Sequence, residues 1–162
     1  PIMSFSQTLF KQKTSSSKKI SAARIMTKEH QRGRGTMEYR VNCPVCELWG
    51  EVVSSGNDCT ITINGGTPHI GCVVLAVPRP SLTGKGTSAT VSVINRTGHM
   101  DDAIATAVAK QIASRRNCVV ACSCGIHLDE ASKDTITHIR NSVPLIVEDI
   151  LALLERRGHT NP

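Results

Sequence analysis

Between residues 37 and 95 polar and apolar residues alternate in short runs, and then the period changes. Met37-Glu38-Tyr39-Arg40-Val41 alternates as a half-buried strand does, and Glu47 to Val53 is a second such run. Ser54-Ser55-Gly56-Asn57-Asp58 is a turn cluster. Cys59-Thr60-Ile61-Thr62-Ile63 alternates again, with Cys59, Ile61 and Ile63 on one face, and Gly65-Gly66 turns the chain. Ile70 to Val77 is almost continuously apolar and predicts a buried central strand. Pro78 to Thr87 is a loop by composition, and Ala89 to Asn95 alternates once more. Strands joined by short turns favour a largely antiparallel sheet.

After residue 100 the apolar positions recur with a helical period. Asp101 or Asp102 is placed to cap a helix running to about Arg115, with Ile104, Val108 and Ile112 as its stripe. Cys118 to Cys122 predicts a strand feeding Gly125-Ile126-His127. Asp129 then caps a helix with Ile136 and Ile139 inward, and Ser142-Val143-Pro144 restarts the helical pattern. Leu145, Ile146, Ile150, Leu153 and Leu154 make its apolar stripe, and Gly158 ends it. Strands followed by about three helices define an α+β fold.

Composition narrows this picture. The 162 residues suit one ordinary domain, and two Phe, one Tyr and one Trp leave the core to Val, Ile, Leu and Ala. The net charge of +6 is unevenly spread. Residues 1–36 hold eight Lys or Arg against Glu29 alone, whereas residues 37–162 are nearly neutral. We therefore expect a flexible basic tail over 1–36 and a single domain over 37–162. The domain lacks both a basic face and stacking aromatics, which argues against nucleic acid as partner. No run approaches the ~18 apolar residues of a membrane span. Seven cysteines, with no apolar signal core in the first 36 residues, point to a reducing cytoplasmic setting. A mitochondrial location is the alternative if the acid-poor, Ser-rich tail is a transit peptide.

The candidate chemistry lies in three short histidine motifs. These are Gly65-Gly66-Thr67-Pro68-His69-Ile70-Gly71, Gly98-His99-Met100-Asp101-Asp102 and Gly125-Ile126-His127-Leu128-Asp129. Neutral imidazoles can ligate metal, move a proton or donate to a ligand carbonyl, so His69, His99 and His127 are candidate metal ligands. Asp101, Asp102 and Asp129 are candidate companions, although each also sits where a helix needs a cap. Gly65, Gly66 and Gly71 would allow a ligand close to the backbone. Cys43-Pro44-Val45-Cys46 has no second pair at zinc-site spacing and reads as a turn between strands. Gly84-Lys85-Gly86-Thr87 fails the phosphate-loop spacing but leaves Arg79 and Lys85 in a loop able to close over an anion. No nucleophile elbow occurs, and no catalytic residue is assigned.

The runs from Gly65 to Ala76, from Gly98 to Asp101 and from Gly125 to Ser132 together resemble the prenylated-flavin chaperone family. That family is typified by the small D subunit of gallate-type hydroxyarylic acid decarboxylases. The resemblance covers roughly residues 58–155. It implies a homodimeric, non-catalytic protein with a fold like proteasome-assembly chaperones. Such a protein binds reduced prenylated FMN and hands it to an apo-decarboxylase. Gly65, Gly66, His69, Gly71, His99, Asp101, His127 and Asp129 would then hold the flavin. Two alternatives stand beside it: a metal-dependent hydrolase or lyase using the same histidines, and an assembly chaperone with no flavin dependence.

Overall fold

A computed structural model describes residues 35–158; the basic tail expected over 1–36 lies almost wholly outside them. Six strands form one sheet: β1 (Thr36–Cys43), β2 (Cys46–Ser55), β3 (Asp58–Gly66), β4 (Cys72–Pro80), β5 (Thr87–Asn95) and β6 (Val120–His127). Helix α1 (Asp102–Arg116) joins β5 to β6, and α2 (Lys133–Asn141) and α3 (Val143–Gly158) follow. The fold is thus α+β, with one departure from strands first and helices after: β6 comes late in the chain. Only Ser142 separates α2 from α3, so the three helical pieces behave as two units.

Short turns fold β1, β2 and β3 into consecutive hairpins. Pro44-Val45 connects β1 to β2, with Cys43 directly opposite Cys46. Gly56 adopts a φ of +62° in the turn before β3, a conformation glycine enters without Cβ strain. The order across the sheet is β1-β2-β3-β6-β4-β5. β6 lies between β3, to which it is parallel, and β4, to which it is antiparallel. All other pairings are antiparallel. Because β5 and β6 both oppose β4, they run the same way, and α1 makes the crossover that parallel strands require.

The inward residues of the sheet are Tyr39, Val41, Leu48, Val52, Ile61, Ile63, Val74, Ala76, Val120 and Cys122, all buried. Val108 and Ile112 of α1 and Ile146, Val147, Ile150 and Leu151 of α3 are buried in the same core. In α3 the buried stripe is rotated one position from the sequence expectation: Leu145 is exposed, and Val147 and Leu151 replace it. Ile136 is likewise exposed and Ile139 buried. The outward face divides in two. On β1–β3 it carries Glu38, Arg40, Glu47 and Glu51, while on β4 and β5 it carries Val73, Leu75, Val77 and Ile94.

Those last residues correct the reading of Ile70–Val77. The strand lies one place from the edge of the sheet rather than at its centre and is buried on one face only, and Val73, Leu75 and Val77 keep 41%, 44% and 42% of their surface. The loop expected over 78–87 shrinks to 81–86, because Pro78, Arg79 and Pro80 continue β4 and Thr87 begins β5. Arg79 donates from Nε to Thr90 Oγ1 and from a terminal nitrogen to the Pro80 carbonyl.

Tyr39 is the large polar side chain of the core. Its hydroxyl donates to the Thr62 carbonyl at 2.7 Å, and burial pushes its ionisation far above the usual range. Tyr39→Phe removes one buried hydrogen bond with little change of shape. We expect it to cost about 1 kcal/mol, read as a lower urea midpoint at unchanged slope.

Candidate functional site

Backbone hydrogen bonds lace the three histidine motifs together at one end of the sheet. Thr67 N donates to the His127 carbonyl at 3.0 Å, and Gly71 N donates to the Cys124 carbonyl at 2.9 Å. Arg96 N donates to the Gly71 carbonyl at 2.8 Å, and His99 N returns to the Arg96 carbonyl at 3.1 Å through a turn. Gly98 has a φ of +81°, which that turn needs. The end of β3, the entry to β4, the exit from β5 and the end of β6 therefore meet. The late insertion of β6 brings them together.

His69, His99 and Asp101 form the centre. His69 Nε2 lies 3.0 Å from His99 Nδ1, and Asp101 Oδ2 lies 3.7 Å from the first and 3.5 Å from the second. The two rings are 4.6 Å apart between centroids and tilted by 47°. His69 Nδ1 faces the Thr67 carbonyl at 3.2 Å. A carbonyl only accepts, so Nδ1 carries the proton, and a neutral His69 offers its Nε2 lone pair to His99. His127 stands edge-on to His69 with centroids 6.0 Å apart, more exposed than the other two.

Asp101 is not the helix cap its position suggests. It is the residue before α1, yet its side chain makes no capping hydrogen bond. Its Oδ1 instead accepts from Ile126 N at 3.1 Å, which turns Oδ2 towards the two imidazoles. The residue is buried, so its carboxylate is compensated by these partners rather than by water. Asp129 does not cap α2 either. That role falls to Ser132, whose hydroxyl accepts from Thr135 N at 3.1 Å. Asp129 is solvent-exposed and lies 3.4 Å from His127 Nε2.

The glycines have an intramolecular reason for being glycine. A Cβ on Gly71 would lie 1.8 Å from Asp101 Oδ2, so its bare backbone admits the carboxylate. A Cβ on Gly66 would meet the His127 carbonyl oxygen at 2.0 Å, and one on Gly65 would meet Leu48 at 2.8 Å. The space beside these three residues is filled by the protein itself. Gly125, which the motif also contains, backs onto the His69 carbonyl at 1.8 Å from a built Cβ.

Neighbouring thiols stay protonated at neutral pH. Burial, and next the charge of Asp101, push the Cys72 thiol up to about 11. Burial dominates for Cys124 as well and raises it further. A thiol that does not ionise is a poor nucleophile and a poor ligand. Arg79 and Lys85 lie towards the far end of the β4–β5 hairpin, about 25–30 Å of strand away from Gly71 at ~3.3 Å per residue. They cannot form a lid over this cluster.

The fold and the cluster thus define a small α+β domain with a buried carboxylate and a group of part-exposed imidazoles at one sheet end. The family model for the prenylated flavin chaperone LpdD-like domain matches residues 42–155, and the chain belongs to that family. No curated protein matches it significantly. Among solved structures, a chain from a chaperone complex for yeast 20S proteasome assembly is similar, at 14% identity and a TM-score of 0.47. That match covers 75% of this chain and 95% of the other. No helix among the described residues is long and apolar enough to cross a membrane.

Proposed function

We propose that this protein holds reduced prenylated FMN at the His69–His99–Asp101 cluster and delivers it to an apo-decarboxylase of the hydroxyarylic acid type. In this reading it is a non-catalytic homodimer of the cytoplasm, where its seven free cysteines suit a reducing milieu. The observation that carries the proposal is the backbone lacing of the three family motifs into one site. Family membership favours it over a metal-dependent hydrolase or lyase.

The residues present fit a flavin. His69 and His99 are part-exposed ring donors and acceptors for carbonyl or phosphate oxygens. Ile70 and Met100, each next to one of these histidines in sequence, expose 63% and 78% of their surface and offer apolar contact to a flat ring system. His127 and Asp129 stand at the open side. The bound flavin would supply its chemistry in the decarboxylase. Here the chain's own residues bind it, orient it and limit its contact with water.

Anaerobic mixing with FMN or reduced prenylated FMN, followed by desalting and a spectrum, tests this. Selective retention of the prenylated form is expected. Retention of neither form would refute the proposal. His127→Ala should weaken retention about tenfold, the loss of roughly one hydrogen bond to a charged or polar ligand group. Its unfolding midpoint should not move, because His127 is exposed. Unchanged affinity would remove His127 from the site.

A further inference from the structure

We propose that His69 Nε2, His99 Nδ1 and Asp101 Oδ2 bind a divalent first-row transition ion, Zn2+ foremost, leaving at least one coordination position open. This inference concerns the cluster to which the proposed function assigns the flavin, but it does not depend on that reading, and its test contains no flavin.

The first argument is geometric. Separations of 3.0, 3.5 and 3.7 Å define a triangle whose corners lie about 2.0 Å from a common centre. An ion slightly out of that plane would sit about 2.1 Å from all three atoms, the ordinary length of zinc–imidazole and zinc–carboxylate bonds. The mean separation is about 3.4 Å, which is also the edge of a tetrahedron built on bonds of about 2.1 Å. No donor needs to move by more than a few tenths of an ångström. A histidine pair held only by its hydrogen bond does not require the carboxylate oxygen to complete such a triangle.

The second argument concerns what lies behind the ligands. His69 turns its other ring nitrogen to the Thr67 carbonyl, which fixes Nε2 as the lone-pair side. Metal-bound histidines are commonly oriented by such a backbone partner. Asp101 is held through its second oxygen by Ile126 N, which leaves Oδ2 free to ligate. The absent Cβ of Gly71 leaves the room in which that oxygen sits. His69 and Asp101 are thus aimed from behind by the chain, while His99 would ligate as its Nε2–H tautomer, giving up the Nδ1 hydrogen bond to His69. The three come from the β3–β4 and β5–α1 connections.

The third argument is charge and donor type. The buried carboxylate faces two imidazoles and has no Lys or Arg among its described partners, and a divalent ion supplies a fixed positive charge. Two nitrogens and one oxygen favour Zn2+, Co2+, Ni2+ or Fe2+ over Mg2+ and Ca2+, which prefer all-oxygen shells. No cysteine sulfur belongs to this group of converging ligand atoms among the described residues.

The test uses the full chain, freed of metal by chelation and titrated with Co2+. We expect one Co2+ per chain, with visible d–d bands and no thiolate-to-cobalt charge-transfer band. Zn2+ should displace it and excess Mg2+ should not. His99→Ala should weaken Co2+ binding at least about 100-fold, more than loss of an outer-sphere partner costs. Asp101→Asn, which keeps an acceptor for Ile126 N, reports independently should His99→Ala misfold by circular dichroism. Replacing both Cys43 and Cys46 by Ser should leave binding intact. Absence of stoichiometric Co2+ would overturn the assignment. So would a charge-transfer band that disappears with Cys43 and Cys46, or unchanged affinity in a folded His99→Ala or Asp101→Asn protein.

Discussion

Gly125→Ala should lower the stability of this domain by about 3 kcal/mol, the upper end of what overpacking costs. The added methyl would sit 1.8 Å from the His69 carbonyl oxygen and 2.5 Å from its carbon. Both are main-chain atoms, so no side-chain rotation relieves the overlap. Gly125 is paired with Asn64 in the middle of the sheet, and the next strand residue is tied to Asp101, which restricts movement on that side as well. The conflict must push out the 67–71 connection and carry His69 away from His99. Urea unfolding checks the stability, and the histidine ring signals in an NMR spectrum check the displacement. Ser123→Ala, two residues earlier and part-exposed, should stay within about 0.5 kcal/mol of the parent. Equal midpoints for Gly125→Ala and Ser123→Ala would show that the connection yields freely.

Asp101→Ala is expected to cost about 2 kcal/mol, and Asp101→Asn markedly less. The alanine leaves Ile126 N without its acceptor and two imidazole nitrogens beside a void. A buried donor without a partner costs roughly 1–3 kcal/mol. Asparagine keeps an oxygen for Ile126 N and places an amide where the second carboxylate oxygen stood. The contrast separates two roles of one residue. If the side chain serves mainly to hold β6 to the start of α1, asparagine restores stability. If its charge is what the structure needs, both variants fall together. Paired denaturation curves under one set of conditions decide the matter.

Much of the sheet was legible because alternation is a local signal. Ile61 and Ile63 face inward and Thr60 and Thr62 outward, as the pattern requires. The reading of β4 failed for a physical reason. An apolar run looks the same whether both faces are buried or one apolar face meets solvent, and Val73, Leu75 and Val77 are of the second kind. The histidine motifs were visible as motifs. Their pairing was not, because it depends on β6 entering between β3 and β4, some sixty residues out of sequence. For the same reason Asp101 looked like a cap: the carboxylate is recruited across the fold, by Ile126. The Asp129 error had a local remedy. Ser132 is as good a cap as aspartate and lies closer to the helical pattern, and Glu130 takes a φ of +53°, which is no part of a helix start.

The position of β6 also has a consequence in time. Before β6 leaves the ribosome, the strands already made fall into two sets, β1–β3 and β4–β5, whose facing edges are not neighbours in the finished sheet. Each then presents an unsatisfied row of backbone groups, the kind of edge that recruits other chains. Both rows are satisfied together only when Val120–His127 emerges and slots between them, after α1 has crossed the sheet. A nascent chain stalled before residue 120 is therefore a template for misassembly. The same late strand completes the sheet and covers both edges.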